Sequence, residues 1–531
     1  MGIPSYFSNV IKRHNKIIRE LSTYKTGFFT NMYMDCNSII YDAVKTNEYT
    51  DNSSNYEMNI IKNVITNIEN YITIIRPSNT IYIAFDGVAP FAKMNQQRTR
   101  RFKGDFISNN SFVKPIERTS WSSCNITPGT NFMNNLSIAV NTYFNINKNK
   151  YGVKDIIVSA SDQRGEGEHK IFQYIRDKNK KDENMLIYGL DSDLIMLTIF
   201  NRKYYNKGYI FREAHEFMDV DDSIDKGDKK LYILDIEGMC AQLVNEMACN
   251  SNEFRRVYDY AFMCFLLGND FLPHFPALNI RTHGIDTLMV TYRNTIGNKS
   301  NLYILNEDMT INWRNFKRII SVLANNEHQY ILDEYNNRDR FLKKKWKTTT
   351  EKDRDYVLNF VPLIDRKEEF YISPKNKYWE LRYYKSLLSV CNNDENLKSV
   401  CNNYISGLEW TLKYYCGNCP NWKWHYKYSY PPLFGDLINY LPDFSMDFII
   451  NDNESFSSDV QLAFVLPPRL WYLLPVYVRK YLLMYHDNLF NDNVKFKWAF
   501  CKYFWEAHVE NNYITIDMLE LWNNKFASLN I

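Results

Sequence analysis

Over the first ~290 residues, short continuous apolar runs alternate with stretches of helical period, the signature of strands interleaved with helices. Tyr33–Cys36 reads as a strand, followed by a helix through Ile39 and Ile40. Thr80–Phe85 (TIYIAF) reads as a buried strand that runs straight into Asp86. Ile156–Val158 and Met185–Tyr188 supply a third and a fourth strand, with helices Glu57–Ile75 and Thr130–Tyr143 between them. This alternation predicts an α/β domain with a mixed, mostly parallel central sheet flanked by helices. In open sheets of this type, ligands bind beyond the carboxyl ends of the strands. Asp35 lies within or at the end of the first strand, and Asp86 just follows the second. Asp191 and Asp193 just follow the fourth, so topology alone converges three acidic positions on one crevice.

The rhythm changes after residue 300. The predicted division is an α/β domain over 1–300, a linker or helical insertion over 301–360, and a helical region over 361–531 packed on the first. Arg338–Asp355 (RDRFLKKKWKTTTEKDRD) is charged and poor in aliphatics, which reads as a linker or surface loop. Its Lys343–Lys345 run reads as a solvated face. No internal repeat stands out.

Composition narrows the class. Hydrophobic residues make up 45% of the 531, enough for a large core, and no apolar run reaches the ~20 residues of a membrane span. After MGIPSYF come Lys12, Arg13, Lys16 and Arg19, which is not the pattern of a signal peptide. Tyr6 stands where a myristoylation signal wants Ser or Thr. A soluble, intracellular protein is the expectation. A net charge of +3 is too mild to announce a nucleic-acid partner. The 40 Tyr fit an AT-rich genome as well as they fit a stacking role. Of ten cysteines only Cys416 and Cys419 form a CxxC, so reduced thiols are favoured over a zinc site.

Chemistry enters with the acids. GEGEHK (Gly165–Lys170) carries Glu166 and Glu168 at i and i+2, and YGLDSDL (Tyr188–Leu194) carries Asp191 and Asp193 at the same spacing. Asp270 follows an apolar helix end in LLGNDFLPH (Leu266–His274), and Asp35 and Asp86 complete a set of seven. Taken singly, each Asp reads as a helix N-cap. Together, seven carboxylates in one cleft repel severely unless cations neutralise them. Two Mg²⁺ ions about 3.5–4 Å apart would do so, and would clamp the attacking and leaving oxygens of a phosphodiester.

A basic counterpart follows Asp86 directly, in GVAPFAKMNQQRTRRFK (Gly87–Lys103). Pro90 suits a first helical turn. Lys93, Gln97, Arg100 and Arg101 then fall on one helical face, which suits a terminal phosphate. A solvated face is the bland alternative, and attachment to the acidic strand end weighs against it.

With these strings in view, the chain resembles the XRN family of 5′→3′ exoribonucleases. MGIPSYF, MDCNSIIY, AFDGVAPFAKMNQQRTRRFK, ITPGTNFM, GEGEHKI, YGLDSDLIML and LLGNDFLPHFP occur in family order across residues 1–276. GLEWTLKYYCGNCPNWKWHYKYSYPPLFGDL (Gly407–Leu437) and QLAFVLPP (Gln461–Pro468) match more weakly. The resemblance implies a PIN/flap-nuclease-like core. It also implies processive hydrolysis of single-stranded RNA from a 5′-monophosphate end to nucleoside 5′-monophosphates, in RNA decay. On the matching positions, Asp35, Asp86, Glu166, Glu168, Asp191, Asp193 and Asp270 are the catalytic, metal-binding acids. The metals are two Mg²⁺ ions, with Mn²⁺ an accepted substitute. Lys93, Gln97, Arg100 and Arg101 hold the 5′ phosphate in a blind pocket that excludes a cap or triphosphate. Tyr41 and Trp424 stack on the terminal base, with Trp422 the alternative to Trp424. The 5′-monophosphate requirement implies a decapping enzyme as a functional partner.

The chain also departs from the family. Tyr41 stands where the family commonly has His, Arg164 where it has Pro, and Asn131 where it has an acid. None of the seven acids is lost. The chain is shorter than cellular members, which with its composition suggests a viral copy acting in the host cytoplasm, a virus factory or the virion. Two rival readings stay open: a structure-specific, flap-type 5′ DNA nuclease, and a catalytically silent RNA-binding or virion protein.

Overall fold

The computed structural model describes residues 2–47, 53–111, 121–212, 231–251, 253–391, 393–486, 489, 494–510 and 514–529. Seven strands form the central sheet: β1 (Ile18–Glu20), β2 (Asn31–Asp35), β3 (Thr80–Ala84), β4 (Asp155–Ser159), β5 (Lys180–Tyr188), β6 (Tyr205–Arg212) and β7 (Tyr232–Asp235). Their spatial order is β1-β7-β6-β5-β2-β3-β4. The five strands from β6 to β4 run parallel. β7 is antiparallel to β6, and β1 is antiparallel to β7. The sheet is thus mixed and mostly parallel, as the sequence predicts. It is wider than the four strands predicted, because β6, β7 and β1 extend one edge.

β2 and β3 are buried along their whole length, which is why they read as continuous apolar runs instead of an alternating pattern. Side chains of period two divide between two layers. Met32, Met34, Ile81, Ile83 and Leu186 face a core shared with α2 (Asn37–Thr46), α3 (Ser53–Ile75) and α5 (Asn131–Ile146). Tyr33, Tyr82, Ala84 and Ile187 face the opposite core with α1 (Tyr6–Arg13), α6 (Gly167–Lys178) and α7 (Asp193–Phe200). Another helix of this half, α4 (Phe91–Asn110), packs on helix Ser458–Val465 through Phe91 and Met94.

The second core does not stop at the α/β half. It continues through Phe316, Ile319 and Leu323 of helix Trp313–Leu342 and through Trp410, Tyr414 and Tyr415 of helix Asp394–Cys416. The helical region therefore packs on the sheet domain through one unbroken apolar layer. A small antiparallel pair, β8 (Lys495–Lys497) and β9 (His508–Glu510), lies near the C-terminus. Among the described residues no helix is long and apolar enough to cross a membrane.

One expectation needs correction. The segment read as a linker or surface loop begins inside the 30-residue helix Trp313–Leu342. Arg338 is buried there, ion-paired to Glu369 Oε1 at 2.6 Å, and Arg366 pairs with Glu369 Oε2 and Asp339. Arg338, at the start of the segment, is thus not solvated but satisfies a buried carboxylate, whereas Lys343–Lys345 are exposed. Glu351–Leu358 is helical as well, with Thr350 and Asp353 forming a capping box.

Candidate active site

Strand register brings the acids together. Asp35 pairs beside Ala84, so Asp86 lies two residues past the aligned end of β3. Tyr188 pairs beside Met34, and Asp191 follows three residues later. The turns beyond β3 and before α6 are bonded to each other through their backbones. Gly87 N donates to Gly165 O at 2.9 Å, and Gly165 N donates to Val88 O at 2.7 Å. Gly165 has φ +105°, and a β-carbon on Gly87 would lie 1.7 Å from Gln163 O, so glycine is required at both. Gly167 N, at the start of α6, donates to Asp86 Oδ1 at 2.8 Å. Capping a helix and facing the site are thus one placement for Asp86.

These elements enclose a cavity of about 220 Å³. Asp35, Asp86, Glu166, Glu168, Asp191 and Asp270 line it, and α4 adds Lys93, Gln97, Arg100 and Arg101. One face of α2 completes the wall with Asn37, Ser38, Tyr41, Asp42 and Lys45. Six of the seven predicted acids therefore meet all four predicted phosphate ligands. The seventh, Asp193, is buried and does not line the cavity, but its carboxyl interacts with Asp270 and Asp191.

The acids are strained electrostatically. Burial, then Asp86 and Asp191, raises the Asp35 carboxyl well above its usual range. Glu168 is raised likewise, by burial first and Glu166 second. Burial also raises Glu166, although Lys93 and Tyr414 oppose it. Asp193 is pushed up to about 7 by burial and then by Asp270. At Asp191 burial is outweighed by surrounding positive charge, including Lys93 and Arg100, and the carboxyl is lowered.

Such a set fits divalent cations. One oxygen each from Asp35, Asp86 and Glu168 lie within 4.8 Å of one another. Asp35 Oδ1 and Asp193 Oδ1 are buried without a hydrogen-bond partner. All-oxygen ligation suits a hard cation such as Mg²⁺. Glu166, Glu168 and His169 form a second close group.

Lys93 takes a place the sequence did not suggest. Its ammonium pairs with Glu166 and with Asp270 Oδ2, at 2.7 Å to the latter, and the side chain is buried. Burial works against its charge, but Asp270 and Glu166 more than compensate. Arg101 is half-buried and donates to Thr127 Oγ1. Gln97 Oε1 is buried without a partner.

The aromatic candidates separate. Tyr41 lines the cavity and is 36% exposed. Trp424 is half-buried outside the lining, stacked on Trp410 at 5.2 Å, with Nε1–H donating to Ser406 Oγ. Trp422 is buried under the Arg164 guanidinium, and its carbonyl accepts from Phe91 N at 2.8 Å. The Cys416 and Cys419 thiols are both raised by burial, which favours neutral thiols over ligands.

Three supporting residues escaped sequence reasoning. Asn37 donates to Asp86 Oδ2 and accepts from Asp86 N at 3.1 Å. Tyr414 donates to Glu166 Oε1 and lies flat on His169, with centroids 3.5 Å apart. Gly2 sits against Asp193 with φ +51°, where a β-carbon would fall 1.6 Å from Asp193 Oδ1. Asn37 and Gly2 stand inside the family-like strings MDCNSIIY and MGIPSYF, which was the available signal.

Residues 1–214 match the domain family described as XRN 5'-3' exonuclease N-terminus. Residues 251–369 and 372–490 match the Xrn1 helical domain. The chain belongs to the XRN 5'-3' exonuclease family. Among curated members, the 5'-3' exoribonuclease 1 of Saccharomyces cerevisiae is 26% identical over 92% of this chain and 40% of its own length. The 5'-3' exoribonuclease 2 of Gallus gallus is 26% identical over 90% of this chain and 65% of its own length. The 5'-3' exoribonuclease 1 of Homo sapiens is 27% identical over 90% of this chain and 31% of its own length. The matched region thus spans less than two thirds of each of these relatives.

Proposed function

We propose that this XRN family member is a 5′→3′ exoribonuclease acting in RNA decay. It hydrolyses single-stranded RNA processively from a 5′-monophosphate end to nucleoside 5′-monophosphates. The observation that carries this reading is the single cavity in which six carboxylates meet Gln97, Arg100 and Arg101. A generic phosphodiesterase needs only the acids. The basic helix beside them makes the site select a terminal phosphate.

The acids would hold two Mg²⁺ ions, or Mn²⁺ in their place, which would supply the positive charge that stabilises the attacking and leaving oxygens of the phosphodiester. Arg100 and Arg101 bind the 5′ phosphate as forked donors, and Gln97 adds its amide. Lys93 lies between the two sets, balancing Glu166 and Asp270 while extending positive charge toward the phosphate. Tyr41 stacks on the terminal base from the cavity wall. Trp424, with Trp410 against one ring face, is assigned the opposite contact. Such stacking tolerates any base, which suits degradation of any sequence. On this reading the phosphate end is blind and excludes a cap or triphosphate, so a decapping or pyrophosphate-removing enzyme must supply the substrate.

The test uses 3′-labelled single-stranded RNAs bearing 5′-monophosphate, triphosphate or hydroxyl ends, with Mg²⁺. Monophosphate RNA should decay at least tenfold faster than the others, and Glu168→Gln should abolish cleavage while sparing binding. Equal decay of all three ends would overturn the phosphate selection. Preference for DNA flaps would favour a flap-type nuclease, and binding without turnover a silent RNA-binding protein.

A further inference from the structure

Three polar side chains on the cavity wall have no part in the exoribonuclease reading: Ser38, Asp42 and Lys45. Asp42 and Lys45 satisfy each other in an ion pair of 3.0 Å. Ser38 is different. It lies in the first turn of α2, where a serine usually bonds a nearby backbone group. Here its Oγ is buried without a hydrogen-bond partner. Among the described residues lining the cavity, Asp35 Oδ1 and Gln97 Oε1 share that condition. Both belong to groups that already have a ligand, the cations and the 5′ phosphate. Leaving a buried hydroxyl unpaired costs more than making its bond contributes, so Ser38 Oγ is the remaining polar atom of the wall for which a bound molecule supplies the partner.

Two contacts place Ser38 along the substrate. Its neighbour Asn37 donates to Asp86 Oδ2 and accepts from Asp86 N, which anchors this end of α2 at the acids. Tyr41, about one turn further along the helix, shares the cavity wall with Arg101 and interacts with its charge. The nucleotide to be released has its 5′ phosphate at Arg100 and Arg101, its base on Tyr41 and its 3′ phosphate at the acids. Its ribose joins these three points. Ser38 lies ~4.5 Å along the helix axis from Tyr41, on the side of the acids, and therefore beside the sugar.

We propose that Ser38 Oγ is a specificity-determining contact to the ribose 2′-hydroxyl of the terminal nucleotide. Each of the two hydroxyls can donate and accept. Phosphate oxygens only accept, and the cations and arginines draw them elsewhere in the cavity. Deoxyribose offers no such group, so Ser38 is satisfied on RNA and left unpaired on DNA. The inference rests on the exoribonuclease reading for the position of the nucleotide. It adds the choice of sugar, which neither the acids nor the basic helix makes.

Binding is measured by fluorescence anisotropy with Mg²⁺ in the Glu168→Gln background, which does not cleave. The probes are 5′-monophosphorylated RNAs that are all ribose or carry one 2′-deoxyribose, at the first or at the fourth nucleotide. Ser38→Ala should weaken binding of the all-ribose strand roughly 3- to 10-fold. The deoxy sugar at the first nucleotide should weaken the Ser38 protein by the same factor, and the two changes together should cost no more than either alone. At the fourth nucleotide the deoxy sugar should leave the effect of Ser38→Ala unchanged. Additive losses at the first nucleotide overturn the contact, and coupling to the fourth sugar overturns its place. The melting temperature of Ser38→Ala without RNA should not fall; a fall would show that the hydroxyl is bonded within the protein and overturn the assignment. Protein with Glu168 intact that fails to degrade the all-ribose strand would sink the exoribonuclease reading while an observed coupling stands. Normal degradation without coupling would do the reverse.

Discussion

Tyr414 donates its phenolic hydrogen to Glu166 Oε1 at 2.8 Å, joining residues 248 positions apart. The bond reaches from the helical region to the start of α6. It lowers the Glu166 carboxyl against the larger, upward effect of burial. Removing it should raise that carboxyl further. Tyr414→Phe should therefore fold normally, lose about tenfold in kcat, and move the acid limb of its pH–rate profile to higher pH. An unshifted limb would show that Tyr414 only packs.

Lys93 is the internal counter-charge of the acid cluster. Lys93→Met leaves Glu166 and Asp270 buried without it, a loss of roughly 3–5 kcal/mol for breaking a buried pair. The melting temperature in EDTA should fall sharply. Mg²⁺ should restore much of it by replacing the missing positive charge, whereas turnover stays low because phosphate binding is lost. A variant equally unstable with and without Mg²⁺ would contradict this.

Asp35, Glu166, Glu168 and Asp193 are all raised in the fold. Unfolded, they titrate near ~4. Their contribution to stability is therefore fully present below ~4 and lost as pH rises through the folded values, about 7 for Asp193. Metal-free protein should lose stability over that window, and Mg²⁺ should raise the melting temperature more at pH 8 than at pH 5. Asp193→Asn should flatten the metal-free decline. Calorimetry across pH, with and without Mg²⁺, checks both.

Gly2 touches no expected substrate position, but a β-carbon there would collide with Asp193. Gly2→Ala must shift that carboxylate, and displacements near 1 Å in an active site cost on the order of 10²-fold in rate. Activity should drop to that extent with little loss of RNA binding, measured as kcat against Kd.

Glu369 accepts from two buried arginines, Arg338 and Arg366. Glu369→Gln leaves Arg338 without its counter-ion and Arg366 with Asp339 alone. Stability in urea should fall by roughly 3–5 kcal/mol, far from the cavity and without a change in end selectivity.

Much of the site was legible because parallel strands deliver their carboxyl ends to one edge. Asp35, Asp86 and Asp191 could be placed from three apolar runs and the residues after them. Other features were not legible for physical reasons. β1 joins the sheet by pairing Ile18 with Leu234 of β7, a distant partner that local period does not encode. Tyr414 sits in a helix whose interior is almost wholly buried, so nothing in its pattern distinguishes a hydroxyl aimed at a carboxylate from a ring filling space. Lys93 shares a helical face with Arg100, and only the fold reveals that its amine ends among acids. Arg338 misled because charge was read as solvation, when its partner Glu369 lies 31 residues away.

The paired bonds between Gly87, Val88 and Gly165 fix the spacing of Asp86 and Glu166 through main chain alone. Peptide groups cannot be mutated away, so sequence drift in the flanking positions leaves the distance between these two acids untouched. Length is what the arrangement cannot surrender: adding or deleting one residue in either turn breaks both bonds together. These two short turns should therefore be the least tolerant of insertions and deletions anywhere in the chain, even as the sequence around them diverges.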